Sequence, residues 1–176
     1  KEILFVGRLI IEKGVHLYVD AIKGIAVKYP EWSFGLIGSS KLGDNKHRNT
    51  YSDDIIKKMK AIGSQAQFYG FKNQEFVEEK MKSASIVVIP SIWEEPFGLV
   101  AAEAMSNGIS IIASKVGGMP EIIGDNGVLI ENINYQKLRK NLIELLRNDS
   151  LRESYQQKAW KNFKLSSALS SKKLDD

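Results

Sequence analysis

The chain has no cysteine among its 176 residues and only two histidines, His16 and His47. Without cysteine there is no thiol nucleophile, no thiolate zinc site and no disulfide, and a reducing compartment is compatible with that. The two histidines stand alone and read as structural or surface residues. No run of about 18 apolar residues exists, so the sequence offers no membrane-spanning helix, and no signal peptide is visible. The Gly-x-x-x-x-Gly-Lys-Ser/Thr phosphate loop and the Gly-x-Gly-x-x-Gly dinucleotide fingerprint are missing. So are His-Glu-x-x-His and Gly-x-Ser-x-Gly, which removes the usual zinc-protease and serine-hydrolase readings. No Asp-x-Asp suggests a metal-bridged diphosphate, and no metal site is expected. The charge balance, 25 basic against 21 acidic residues, gives +4. Those charges spread over several helices, too thinly for a nucleic-acid footprint. Asn148-Asp149-Ser150 fits a glycosylation acceptor pattern that a cytoplasmic chain would not use.

What is present is an ordinary globular composition, 43% hydrophobic and 26% charged, at a length that suits one domain with a substantial core. Strand patterns at 3–6, 33–37, 66–69, 86–89, 110–113 and 127–130 alternate with helical patterns at 15–28, 53–62, 74–82, 99–106, 135–147 and 150–163. In the first helix Val15, Val19, Ile22 and Ala26 fall on one face. Such alternation predicts an α/β, doubly wound, Rossmann-like domain of about six parallel strands with helices on both faces. The domain is expected over residues 1–165. Residues 166–176 read as a polar tail that frays or leans on something absent. The chain opens at Lys1 inside its first strand, which reads as a piece cut from something longer at a domain boundary. The one long loop, 39–50, is a candidate functional loop.

The strongest signal lies between Pro90 and Gly108. An apolar strand is followed by a turn, Glu95-Pro96-Phe97-Gly98, and then by a strong helix former carrying Glu103. The two glutamates are eight residues apart, at most on the order of 12 Å if the stretch were all helix. In a doubly wound sheet, ligands bind outside the carboxyl ends of the strands. The helix start at Phe97-Gly98 offers unpaired N–H groups to an anion there. Glycines crowd the same predicted edge: Gly7, Gly38, Gly70 and the pair Gly117-Gly118 each follow a strand. Any one of them has a plain turn reading, but together they let backbone approach a ligand. Arg8 and Lys13 flank the start of the first helix, where acids are normally preferred. Phosphate binding explains these cations better than a surface pair does.

These residues together resemble a known pattern. Arg8…Lys13-Gly14, then Glu95-Pro96-Phe97-Gly98…Glu103-Ala104-Met105…Gly108, then Gly117-Gly118-Met119-Pro120-Glu121, look like the donor half of a family 4 glycosyltransferase of GT-B architecture. The resemblance runs from Glu2 to about Phe163. It implies the C-terminal, nucleotide-sugar-binding half of a retaining hexosyltransferase. Such an enzyme works without a metal or other cofactor on a nucleoside-diphosphate sugar, with a UDP-sugar as the expected donor. The implied catalytic residues are Glu95, Arg8 and Lys13, with Glu95 contacting the transferred sugar and Arg8 and Lys13 the diphosphate. Glu103 would bind the ribose, and Phe71 and Lys72 would frame the base. Gly7, Gly38, Phe97, Gly98 and Leu99 complete the implied donor site. The expected partner is an N-terminal acceptor-binding domain, and this half alone is expected to be inactive. The resemblance further implies polysaccharide biosynthesis in the cytoplasm, with peripheral contact of a full-length enzyme at the inner membrane face left open. A sugar-nucleotide epimerase of the same architecture, or a nucleotide-sugar-binding module without turnover, are the alternatives.

Overall fold

A computed structural model of the chain describes residues 1–40, 50–94 and 98–172, with side chains up to residue 163. Six parallel strands form one sheet: β1 (Glu2–Val6), β2 (Ser33–Ile37), β3 (Ala66–Gly70), β4 (Ile86–Ile89), β5 (Ser110–Ser114) and β6 (Val128–Ile130). Their spatial order is β3-β2-β1-β4-β5-β6. The α/β, doubly wound, Rossmann-like class expected from the alternating pattern is the fold of the chain. Among the described residues, seven helices connect and flank the strands: α1 (Val15–Ala26), α2 (Thr50–Ile62), α3 (Gln74–Ser83), α4 (Leu99–Ser106), α5 (Met119–Ile123), α6 (Tyr135–Arg147) and α7 (Asp149–Lys172).

Strand side chains alternate between faces, and both faces are dry. Ile3 and Phe5 of β1, Ile86 and Val88 of β4 and Ile112 of β5 enter one buried cluster with α1, α2 and α6. Leu4, Val87, Ile89, Ile111 and Ala113 enter the other, with α3, α4, α5 and α7. This explains why the strands read as continuous apolar runs and not as half-polar ones. The starts of α3 and α6 are set locally by asparagine caps. The Asn73 side chain accepts from Phe76 N–H at 3.1 Å, and Asn134 from Lys137 N–H at 2.8 Å, the standard way to satisfy an orphan amide.

The differences from the expected elements sit at ends and in short pieces. Helix α5 and the single 3₁₀ turns at Ile11–Lys13 and Gly124–Asn126 are too short to carry a helical period. Helix α7 continues nine residues past its expected end at Phe163, because residues 164–172 hold no glycine or proline to stop it. Most of the 39–50 loop lies outside the described residues, as do His47, Glu95, Pro96 and Phe97. Among the described residues, no helix is long and apolar enough to cross a membrane.

Candidate functional site

The strand order changes direction between β1 and β4, and their carboxyl ends open a crevice, the usual place for a ligand in this architecture. A cavity of about 330 Å³ occupies it. Phe5, Val6 and Ile89 from the strand ends form its floor. Gly7, Arg8 and Lys13 form one wall, and Gly98, Leu99 and Val100 the other, with Met119 behind. Arg8 is exposed and Lys13 half-buried, so two cations face a small, mostly apolar hollow. Within the cavity's described lining there is no carboxylate and no imidazole.

Helix α4 points its start into this hollow. Its cap is Gly98, in the left-handed region (φ +48°), which supplies no side-chain cap, and its first turn carries no acid. Among the described residues, the amides of Leu99 and Val100 therefore have no side-chain cap of the kind a capped helix start carries. A Cβ on Gly98 would press on Ile122 Cδ1 at 2.5 Å and crowd Met119. This gives the Gly117-Gly118-Met119-Pro120 sequence its physical role. Gly117 turns the chain with φ +52°, Gly118 caps α5 with Pro120 in the first turn, and α5 backs the α4 start.

The loops around the cavity are stitched together by backbone. Ile92 N–H donates to the Glu12 carbonyl at 2.9 Å. Gly14, at φ +65°, passes so close to Pro90 that a Cβ would overlap its carbonyl oxygen. Gly38, at φ +145°, does the same against the Gly7 carbonyl, while Gly7 N–H donates to Ile37 O at 3.0 Å. The buried Ser114 hydroxyl reaches the Ile89 carbonyl at 3.2 Å and the Ser91 carbonyl. Gly38 thus does not line the cavity itself; it sets the position of Gly7, which does. Just past Gly14, His16 N–H donates to the Tyr51 hydroxyl at 3.3 Å, and His16 Nδ1 lies 2.9 Å from the same oxygen. Burial holds the His16 pKa below its ordinary value, against the opposing pull of Asp20 and with help from Lys58.

Glu103 follows Leu99 by four residues, so both lie on one face of α4. Its Oε1 accepts from Gln74 Nε2 at 3.3 Å, which ties it to the start of α3, just past the loop after β3. In that loop Phe71 is 78% exposed, and Lys72 Nζ stands 4.8 Å from the Phe76 ring centre. The structure therefore brings Gly7, Arg8, Lys13, Gly98 and Leu99 into one cavity. Glu103, Phe71 and Lys72 lie farther along the same edge, and Glu95 and Phe97 fall outside the described residues. Sequence reasoning missed Gln74, which carries no motif. It also gave no role to Ser91 and Met119, although both stand inside sequences it singled out.

The chain matches the family model described as Glycosyl transferases group 1 over residues 1–162. It is 35% identical over 153 residues to an uncharacterised glycosyltransferase of Methanocaldococcus jannaschii, covering 86% of this chain and 40% of that protein. Spore coat protein SA of Bacillus subtilis is 32% identical over 160 residues, covering 87% and 41%. The chain thus spans about two fifths of the length of the curated relatives it matches. Among solved structures, the C-terminal domain of a glycosyl transferase group 1 family protein from Francisella tularensis aligns with a TM-score of 0.76 at 29% identity, covering 91% of this chain and 82% of that one. HepE of Anabaena, in complex with UDP-glucose, aligns with a TM-score of 0.74 at 25% identity, covering 97% and 48%. With a crevice at the strand reversal and a family match over nearly all of its length, the chain belongs to the group 1 glycosyl transferases and has the fold of their C-terminal GT-B domain.

Proposed function

We propose that this domain holds the donor, a nucleoside-diphosphate sugar with UDP as its nucleotide, for a retaining sugar transfer to a glycan, lipid or other acceptor. The observation that carries this reading is the cavity where Arg8, Lys13 and the uncapped start of α4 converge. Two cations and the amides of a helix start suit a diphosphate, and they offset its charge without a metal ion. The Anabaena structure with UDP-glucose supports the choice of nucleotide. In this reading Glu103 takes the ribose hydroxyls, and Phe71 and Lys72 frame the base. Gly7, Gly98, Phe97 and Leu99 line the diphosphate and sugar, with Gly38 behind Gly7. Glu95 orients the sugar.

The chemistry follows from where charge develops. As the glycosidic C–O bond to the diphosphate breaks, negative charge grows on the leaving phosphate. Fixed donors already aimed at that point stabilise it more in the transition state than before. Glu95 opposes the positive charge building on the sugar. The leaving phosphate takes the acceptor's proton on the same face, so configuration is retained. Acceptor positioning and exclusion of water need a second wall, so this domain alone binds donor without transferring it. The described lining has cations and amides in place of an acid–base pair, which favours phosphate binding over epimerisation.

The test is a UDP titration followed by amide chemical shifts. Arg8→Ala and Lys13→Ala should each weaken UDP by roughly 1.5–3 kcal/mol, the range for hydrogen bonds to charged groups. Wild-type affinity in both variants would overturn the assignment.

A further inference from the structure

We propose that the groove between the loops after β4, β5 and β6 is a saccharide subsite on the acceptor side of the crevice. The inference rests on the donor reading above, because the donor sets which way the edge is read. The base end lies toward β3, through Phe71 and Lys72, and the diphosphate lies at β1 and β4. The strand order β3-β2-β1-β4-β5-β6 then leaves β5 and β6 on the side away from the base, where the transferred sugar meets its acceptor. A groove of about 500 Å³ lies there, within the ordinary range of about 300–1,000 Å³ for small-molecule sites. Ser91 lines both this groove and the crevice, so the two adjoin.

Its chemistry is that of a hydroxyl reader. Lys115 Nζ donates to Glu131 Oε1 at 2.6 Å, with the two side chains 46% and 68% exposed. So exposed a pair adds little to stability. It does present a donor and an acceptor side by side with no net charge, which suits neighbouring sugar hydroxyls better than an anion. Beside it Ile92, 47% exposed, and Val116 and Ile133 offer an apolar wall for the C–H face of a sugar ring. The groove is also held in shape. Asn132 takes φ +47°, the one non-glycine residue with positive φ among those described. Lys137 Nζ fixes that bend by donating to the Glu131 carbonyl at 2.8 Å and the Asn132 carbonyl at 3.1 Å. On the opposite side the N–H of Ile92 is tied to Glu12. A cleft already ordered loses less entropy when a ligand binds.

The experiment maps two ligands on the ¹⁵N-labelled chain. UDP is titrated first, then a panel of methyl hexosides and methyl N-acetylhexosaminides at tens of millimolar. At least one glycoside should shift the amides of Lys115, Val116, Asn132 and Ile133, with UDP shifting those of Gly7, Arg8 and Leu99. Lys115→Met and Glu131→Gln, both at exposed positions, should each raise the glycoside dissociation constant about tenfold, the loss of one charged hydrogen bond. Both should leave the UDP shifts unchanged. If UDP moves the crevice amides and no glycoside moves the groove, or if both variants bind glycoside as the wild type does, the subsite is wrong. If UDP moves nothing in the crevice, the donor reading fails, and a glycoside shift sensitive to both variants would still establish the groove as a saccharide site.

Discussion

The two ends of the ligand edge are built in opposite ways. At β1 and β4, backbone lies against backbone: Gly14 against the Pro90 carbonyl, Gly38 against the Gly7 carbonyl, Ile92 N–H on Glu12. At β3 the edge is open. Among the described residues Gly70, at φ +72°, has nothing within 4 Å of where a Cβ would stand, and Phe71 stands 78% exposed. Gly7, Gly38 and Gly70 look alike in the sequence, each at the end of a strand pattern. The difference teaches that the β1–β4 end, which would take the phosphates in the proposed reading, is preorganised by close backbone packing, whereas the β3 end, which would take the base, is held by the Gly38 N–H to Gly70 carbonyl bond at 2.9 Å and leaves its side chains open. A preorganised end suits a ligand part common to every donor, and a loose end suits the part that varies.

Breaking the packed end should have the largest effect. Gly14→Ala and Gly38→Ala combine a left-handed or otherwise disfavoured backbone, about 1–2 kcal/mol, with overpacking of about 1–3 kcal/mol. Each should therefore lower unfolding stability by roughly 3 kcal/mol or more. Gly70→Ala meets only the backbone cost, about 1–2 kcal/mol. Urea unfolding of the three variants tests the contrast. Equal losses at positions 38 and 70 would mean that the edge is not divided as described.

Legibility followed the same division. The sheet was readable because both its faces are buried, so Ile86-Val87-Val88-Ile89 and Ile111-Ile112-Ala113 are apolar whichever way each side chain points. The start of α4 was readable because a turn ending at Gly98 runs into a strong helix former. The Glu103–Gln74 contact was not, since it joins residues 29 apart across two helices and glutamine at a helix start is unremarkable. Nor was the difference between Gly38 and Gly70, because a glycine's neighbours in space are not written beside it in the chain. The Tyr51 cap on His16 spans 35 residues and is hidden for the same reason.

The open end gives the next effect. Phe71→Ala should weaken UDP by about 1 kcal/mol, the lower end for base–aromatic stacking, and leave inorganic pyrophosphate binding unchanged. Arg8→Ala should weaken both ligands. Calorimetric titration of the two variants with the two ligands separates the ends of the edge. A Phe71→Ala variant that loses pyrophosphate as much as UDP would place the ring at the phosphate end and undo the comparison.

The smallest effect concerns how α1 is held behind the packed end. Its cap, Gly14, provides no side-chain hydrogen bond, and the orphan N–H of His16 goes instead to Tyr51 on α2. The His16 ring beside that contact is half-buried and its pKa is lowered, chiefly by burial, with Asp20 pulling it up and Lys58 pushing it down. A lowered folded-state pKa means that the neutral ring is the form the fold prefers. Its contribution is fully present above the unfolded value near 6.5 and is lost as pH falls through the folded one. The advantage of the wild type over His16→Gln should therefore shrink between about pH 8 and about pH 5. The change should stay under about 1 kcal/mol because solvent screens a half-buried ring. Urea midpoints of the pair across that range decide it. A difference that stays constant, or grows as pH falls, would show that protonating His16 does not loosen this helix start, and that Tyr51 holds it by its hydroxyl alone.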